Sequence, residues 1–321
     1  MEPIVKDSPG EPGGMAQFLE RRTKDTALMQ DRAVQALVGA LQERVGGEIF
    51  AVLIYGSYLR GVRDTLLDFY VVVEDYRSAL GPIAGAAAFL MPPNVYYLSL
   101  VEEGRELRAK YAVVSRSQLQ RQAGAVHPYF WARLAQPCQV VYVKDAAARR
   151  RLSLVLAACV RTFIKRVAPA LQGWVGAESF FDTGFARTYR AELRAESPAK
   201  VQSIFRHDVD YYSNLLKLAA DEGLLQRRER DEDQPIYAPT NFTGSTRNAC
   251  YWGGTIGLGK LLSVLRLVKA AATFNDPIDY LLWKIERHSG VTVEASARQR
   301  RYPLIFAWPL AWRLYRLGAF R

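Results

Sequence analysis

Hydrophobic runs alternate with helix-spaced patterns along the first half of the chain. The apolar residues at 25–45, which Gly46 and Gly47 follow, predict a helix, and residues 115–134 predict another. The third and fourth strands of this half are predicted to form a hairpin around residues 102–104. The five predicted strands, rich in β-branched and aromatic residues, are 50–55, 67–73, 94–101, 107–114 and 139–143.

The pattern becomes mainly helical after Asp145. This aspartate is an expected N-cap for a helix that runs to residue 167, before Pro169. Two further helices are predicted at 198–220 and 257–273. The apolar face of the helix that follows Asp145 consists of Leu152, Leu156, Cys159, Val160, Phe163 and Val167.

Two segments of the second half lack a regular pattern. The mixed-charge run 226–234 predicts a solvated loop. The glycine-rich run 253–257 predicts a turn before the last helix, which would either cradle a phosphate or allow close helix packing. The predicted fold class is therefore α/β, with four parts. These are a flexible N-terminus, a mixed β-sheet domain, a mainly helical domain and a basic, aromatic tail, at residues 1–24, 25–145, 146–290 and 291–321.

The most informative motif joins the ends of the first two predicted strands. The first strand ends at Tyr55-Gly56-Ser57, and Asp68 stands at the head of the second. Glycine tolerates positive φ, so the chain can turn sharply, and the amides and Ser57 hydroxyl of the next turn would meet phosphate oxygens. Asp68 would then hold Mg²⁺ beside those phosphates, since Mg²⁺ needs only one or two carboxylates. This layout is typical of nucleotidyltransferases; the alternatives are an inactive site or an ordinary strand aspartate.

A second acid usually follows the first by two residues in such sites, and here that position is Tyr70. Glu74 is the only other acid of this strand with the parity of Asp68, about 20 Å further along an extended strand. Glu74 would share an ion with Asp68 only if the strand bends. Glu102 and Glu103, after the third strand, are alternative carboxylates.

Three stretches carry a family resemblance. They are Tyr55-Gly56-Ser57 with Leu67-Asp68-Phe69, residues 94–100 through 113–115, and Arg133-Leu134 with Pro137. Together with weaker echoes at 184–190 and 245–257, they span roughly residues 50–260 in order. In these stretches the chain resembles the mitochondrial-type phosphatidate cytidylyltransferases, peripheral CDP-diacylglycerol synthases that share the nucleotidyltransferase fold. One departure is Tyr251, where the family has a lysine.

The resemblance implies a nucleotidyltransferase-like sheet domain and a Mg²⁺-dependent reaction of CTP with phosphatidic acid, which yields CDP-diacylglycerol and pyrophosphate. It implies that Asp68 binds the metal together with Glu74, and that Asp68 and Lys110 are catalytic. The phosphate monoester of phosphatidic acid has a second pKa near 6, so it is largely a dianion at neutral pH and needs no general base. The nucleotide-binding residues implied are Tyr55, Gly56, Ser57 and Arg60.

The cations predicted to meet phosphates have simpler alternatives. Lys110, at a strand start, is the first choice for the triphosphate or the transition-state charge, and would otherwise be an edge-strand lysine that discourages aggregation. Arg105 and Arg247 are lesser candidates for phosphate contacts, and would otherwise be solvated arginines.

The net charge of +11 indicates an anionic partner, and its distribution favours a membrane surface over nucleic acid. Residues 298–321 contain six arginines and no acid, interleaved with aromatic residues, as expected for a membrane interface. The longest uncharged run there, residues 302–312, is too short to cross a bilayer, which takes about twenty residues. A tail that folds back onto the core is the alternative. The predicted membrane contacts are Arg300, Arg301, Trp308, Trp312, Arg313 and Arg316.

Three scattered cysteines favour a reducing compartment without disulfides, and the dispersed histidines indicate no metal site. The first fourteen residues predict neither a secretory nor a mitochondrial address, so we expect a bacterial-type protein on the cytoplasmic face of the membrane. Two rival functions remain at this point. One is a nucleotidyltransferase that modifies RNA, protein or a small molecule; the other is a catalytically inactive membrane-associated scaffold.

Overall fold

The structure is a computed structural model. It describes residues 14–46, 48–62, 66–90, 92, 94–192, 198–229, 235–240, 248–260 and 262, together with residues 293, 295, 296, 298, 299, 313 and 316. Five of its strands form the principal sheet: β1 (Ile49–Tyr55), β2 (Leu67–Val73), β3 (Asn94–Glu102), β4 (Arg105–Ser115) and β5 (Cys138–Val143).

The principal sheet is mixed, with the strand order β3-β4-β2-β1-β5. Strands β2 and β4 run parallel, whereas the other neighbouring pairs are antiparallel. The two central strands, β1 and β2, are almost entirely buried, which explains why they are nearly continuous apolar runs. The predicted mixed α/β fold and the β3–β4 hairpin are therefore confirmed.

Helices cover both faces of this sheet. On one face, Val52, Ile54 and Phe69 share an apolar cluster with residues of α3 and α4. On the other, Leu53 and Tyr70 share a larger cluster with α1, α7, α8, α9 and α11. The helices described up to residue 221 are α1 (Gly14–Arg22), α2 (Thr26–Gln30), α3 (Arg32–Arg44), α4 (Tyr76–Leu80), α5 (Pro82–Leu90), α6 (Arg116–Gln122), α7 (Trp131–Leu134), α8 (Ala146–Val167), α9 (Ala177–Arg190), α10 (Pro198–His207) and α11 (Val209–Asp221).

Aspartate caps decide where several helices begin. The Asp145 side chain accepts from the Ala148 N–H, and the predicted helix follows as α8, with its predicted apolar face buried. The helix predicted at 25–45 is instead two helices, because Asp31 interrupts it and caps α3. Asp208 likewise divides the helix predicted at 198–220 into α10 and α11. A helical apolar period continues across such a break, so it does not reveal the break.

Three further predictions need correction. Residues 14–22, predicted to be flexible, form α1, whose Met15 and Leu19 are buried against the core. The helix predicted at 115–134 is two short helices, α6 and α7, with a loop at 123–130. Part of the loop predicted at 226–234 is β7 (Leu225–Glu229), which pairs with β8 (Pro235–Pro239). Strand β6 (Val175–Gly176) completes this second, three-stranded sheet within the helical half.

The glycine-rich run 253–257 does not form a turn. Residues 248–260 are helical, and Gly253, Gly254 and Gly257 lie inside that helix with open space around them. Close packing occurs instead at Gly259, where a Cβ would lie 1.9 Å from the Ala191 carbonyl oxygen. The glycines of the run 253–257 thus show neither the predicted turn nor the close packing, which falls on a glycine outside the run. The predicted remainder of this helix, 263–273, lies outside the described residues.

Candidate active site

The corner at the end of β1 is built on Gly56. Its φ is +89°, a left-handed conformation that residues other than glycine rarely adopt. A Cβ at this position would lie 3.0 Å from Oδ2 of Asp68. Gly56 is therefore needed both for the turn and for the space that the carboxylate occupies. The sequence motif thus brings the glycine and the acid into direct contact.

A short 3₁₀ turn, Tyr58–Arg60, follows the corner. The carbonyl of Ser57 accepts from the N–H groups of Arg60, at 3.0 Å, and Val62, at 3.2 Å. This turn is connected to the helical half, since the ring of His207 lies 3.4 Å from the Leu59 carbonyl oxygen. Ser57 and Arg60 thus lie next to the corner, as the motif predicts.

Asp68 belongs to a polar row that crosses four strands on one face of the sheet. The register pairs Tyr55 with Asp68, Asp68 with Lys110, and Lys110 with Tyr97. Laterally paired residues project from the same face, and adjacent strands lie about 4.8 Å apart. The two residues predicted to be catalytic, Asp68 and Lys110, are therefore direct neighbours. This row continues the face that packs against the helical half.

Glu74 does not belong to this site. Strand β2 pairs with β4 without interruption from Leu67 to Val73, so it has no bend that would bring its two ends together. Glu74 follows the far end of the strand, about 20 Å from Asp68. Its carboxylate lies 3.0 Å from Nε of Arg116 and 3.8 Å from Nζ of Lys144. The prediction that Glu74 shares a metal ion with Asp68 is therefore wrong, and of these two acids only Asp68 lies at the glycine corner.

Other predicted contacts lie apart from the row. Arg105 is exposed at the tip of the β3–β4 hairpin, about 16 Å along β4 from Lys110. Glu102 and Glu103 are at the same tip, where Glu103 pairs with Arg32. Arg247 lies outside the described residues, as do Arg300, Arg301, Trp308 and Trp312 of the tail. Of that tail, Arg313 and Arg316 are helical and exposed.

The structure adds Arg133 to the surroundings of the row. An aromatic chain leads to it from Tyr55, whose ring stacks on Tyr70 with 4.9 Å between centroids, and Tyr70 contacts Phe130 at 5.8 Å. Phe130 in turn contacts Tyr129, and the guanidinium of Arg133 lies 3.7 Å from the centre of the Tyr129 ring. The motif Arg133-Leu134-Pro137 was visible in the sequence, but its distance from Tyr55 along the chain hid this proximity.

Short-range packing holds Arg133 in place. Phe130, Trp131 and Leu134 are buried and anchor α7 in the core. The Arg133 side chain is only 13% exposed and pairs with Glu192, just after α9, at 2.5 Å. It also donates to the Tyr129 carbonyl at 2.8 Å.

The loop before α7 is tied to α9 through His127. Nδ1 of this buried histidine accepts from the N–H of Tyr129 at 3.2 Å, so the other ring nitrogen carries the proton. Nε2 therefore donates to the carbonyl of Ala191 at 3.3 Å. Nearby, the hydroxyl of Tyr251 donates to the Val126 carbonyl at 2.7 Å, so this tyrosine has a structural contact where the resembling family has a lysine.

Burial governs the protonation of these groups. It raises the pKa of Tyr55 well above its ordinary value. The charges of Tyr70 and then Asp68 raise this pKa further, whereas the charge of Arg133 lowers it. Burial works to lower the pKa of Arg133, but Glu192 and the neighbouring tyrosines outweigh it and raise that pKa well above its ordinary value. Tyr55 is therefore a neutral hydrogen-bond donor and Arg133 a permanent cation.

Asp68 fits a magnesium ion that is held mainly by a substrate. No group of three or more histidine, cysteine, aspartate or glutamate side chains suited to a metal occurs among the residues that the structure describes. Mg²⁺ is commonly bound by one or two carboxylates while phosphates and water supply its other oxygen ligands. A single carboxylate beside the glycine corner is compatible with that chemistry, whereas it would not hold the ion alone.

A scan of the chain against protein-family models found no match, and a search of curated proteins found none either. In the described part of the chain, no helix has both the length and the apolar character needed to cross a membrane.

Proposed function

We propose that this protein is a CTP:phosphatidate cytidylyltransferase that forms CDP-diacylglycerol and pyrophosphate. One observation carries the proposal: Asp68 lies against the Gly56 corner and is register-paired with Lys110. A phosphate-binding turn, a metal-binding acid and a cation are the parts that a nucleotidyl transfer requires. We also propose that the principal sheet with its helices is a nucleotidyltransferase fold.

The reaction needs positioning and charge neutralisation more than acid–base chemistry. An oxygen of the phosphate monoester attacks the α-phosphorus of CTP, the bond between that phosphorus and the α,β-bridging oxygen breaks, and pyrophosphate leaves with the electron pair. The attacking dianion carries no proton that must be removed. Bound Mg²⁺ would neutralise charge on the triphosphate. Asp68 would hold that ion, the amides after Gly56 and the Ser57 hydroxyl would bind phosphate oxygens, and Lys110 would offset the charge that accumulates.

We also propose that the basic, aromatic tail contacts the membrane. The described tail residues Arg313 and Arg316 are each helical and exposed. We infer that they meet anionic lipid at the inner face of the cell membrane, where the proposed reaction would take its phosphatidic acid.

The direct test offers radiolabelled CTP and Mg²⁺ with phosphatidate vesicles and counts label in the organic phase. We expect lipid-linked cytidine and stoichiometric pyrophosphate, with much less label from ATP, GTP or UTP. Label on RNA or protein in place of lipid would favour the rival nucleotidyltransferase. Vesicle binding without transfer to any acceptor, and without Mg²⁺-dependent CTP binding, would favour the inactive scaffold.

A further inference from the structure

Two anions must meet at the proposed site, and the residues assigned so far provide for only one of them. Gly56, Ser57 and Lys110 are assigned to the triphosphate. The second substrate, a phosphate monoester, also needs a cation to reach an attacking position. Arg60, beside the corner, is predicted to bind the nucleotide. Arg133 is a further described cation in the surroundings of the row, and its position is fixed by an ion pair and a hydrogen bond.

Arg133 retains unused hydrogen-bonding capacity. A guanidinium carries five N–H donors. In the described part of the chain, one donor goes to Glu192 and one to the Tyr129 carbonyl. The remaining three can serve a phosphate, which arginine often binds through two parallel hydrogen bonds. Stacking on Tyr129 and the ion pair with Glu192 orient the group in advance, so little side-chain entropy remains to be lost on binding.

Tyr55 connects Arg133 with the metal-binding acid. It is the register partner of Asp68, and its ring stacks on Tyr70, which in turn contacts Phe130 at the start of the helix that carries Arg133. The charges of Asp68 and Arg133 both act on the pKa of its phenol. Lys110 lies on the opposite side, because β4 and β1 flank β2. Along the same face of the sheet, Asp68 therefore has Lys110 on its β4 side and Tyr55, which leads to Arg133, on its β1 side.

We propose that Arg133 forms the subsite for the phosphate monoester of the second substrate, while Lys110 serves the triphosphate. This inference rests on the proposed function, which supplies the second substrate. In this arrangement the monoester approaches the α-phosphorus from the β1 side, and pyrophosphate leaves on the β4 side. Glu192 holds the guanidinium in position and does not touch the substrate.

The decisive variant is Arg133→Lys, which keeps a positive charge opposite Glu192 but loses the planar pair of donors. With soluble dihexanoyl phosphatidate as acceptor, we expect its KM to rise about 10-fold or more while the KM for CTP stays within about twofold. An equal rise of both KM values would indicate a structural role and overturn the subsite, as would an unchanged acceptor KM.

A second variant, Arg133→Gln with Glu192→Gln, removes both charges and leaves no buried carboxylate without a partner. We expect a larger loss of acceptor affinity with the same selectivity. The matched control is Arg161→Gln with Glu222→Gln, which neutralises another ion pair, at 2.7 and 2.8 Å between α8 and the residue that follows α11. We expect that control to leave both KM values unchanged.

Calorimetry separates this subsite from the reaction. Wild-type and Arg133→Lys protein would be titrated with dihexanoyl phosphatidate, glycerol 3-phosphate and inorganic phosphate. Weaker binding of the lipid and of glycerol 3-phosphate by the variant supports recognition of the monoester itself, and weakening for the lipid alone supports a subsite that also requires the acyl chains. Loss of binding in the variant when the wild type makes no CDP-diacylglycerol supports the subsite and refutes the reaction. Product formation by the wild type with unaltered acceptor binding in Arg133→Lys overturns the subsite alone.

Discussion

Strand β2 has an acid near each end, and the two acids have different surroundings. Asp68 lies against the left-handed Gly56 and beside Lys110, on the face that packs against the helical half. Glu74, after the other end, forms ion pairs with Arg116 and Lys144. Both acids have the same strand parity, so alternation along the strand cannot tell them apart. What distinguishes the two ends is the neighbouring backbone: one end has a glycine corner, whereas the other continues into the capped helix α4.

Replacement of the two acids should have the largest and most unequal effects. We expect Asp68→Asn to lower cytidylyl transfer about 10³-fold, since metal-assisted charge stabilisation is worth several kcal/mol. Glu74→Gln should leave the rate unchanged and cost about 0–1 kcal/mol of unfolding free energy, as is usual for exposed ion pairs. Initial rates and urea unfolding of both variants measure this, and similar activity in the two would contradict the assignment of the site.

The lysines near the two ends extend the comparison. Lys110→Gln should reduce kcat roughly 10²-fold, because a cation aimed at developing charge is lost from beside Asp68. Lys144→Gln, beside Glu48 and Glu74, makes the same change of charge at the other end and should leave kcat unaltered. Steady-state kinetics with CTP and phosphatidate vesicles decide the matter. A loss in both variants would instead point to a general effect of net charge on vesicle binding.

Glycine replacements test the corner itself. Gly56→Ala and Gly61→Ala both place an alanine at positive φ, at a cost of about 1–2 kcal/mol each. Only at Gly56 does the new Cβ crowd Asp68, whereas the space around Gly61 is open. We therefore expect similar losses of unfolding free energy but a further fall in activity, roughly 10-fold or more, in Gly56→Ala alone. If the two variants lost activity equally, the close approach of Gly56 to Asp68 would not contribute to activity.

The smallest expected effect concerns Asp75, next to Glu74. The N–H of Ser78, and then its hydroxyl, hold the pKa of the Asp75 carboxyl below its ordinary value. The ionised form therefore stabilises the fold fully above the unfolded pKa of about 3.9, and this contribution is lost as the pH falls through the lower folded pKa. Asp75→Asn keeps an N-cap that does not titrate. Its unfolding free energy, compared with wild type from pH 6 to pH 2, should differ least at the acid end.

Local sequence patterns predicted the strands of the sheet, the cap at Asp145 and the contact between the glycine corner and Asp68. Each depends on residues near one another in the chain or on the alternation of a single strand. The same reasoning made Glu74 a candidate metal ligand, because it has the same strand parity as Asp68. The straight course of β2 keeps the two acids apart and excludes that role. Local patterns also predicted single helices across Asp31 and Asp208. At both positions a cap interrupts the helix while the apolar period continues.

Amino-acid order was sufficient to specify the glycine corner, the acid of β2 and the lysine of β4, since glycine at positive φ and strand alternation are local properties of the backbone. The placement of Lys110 beside Asp68 depended on the order and register of strands that are distant in sequence. The approach of Arg133 to Tyr55 depended on the packing of α7 through Phe130. Such contacts arise when the whole core excludes water, and no short segment carries that information by itself.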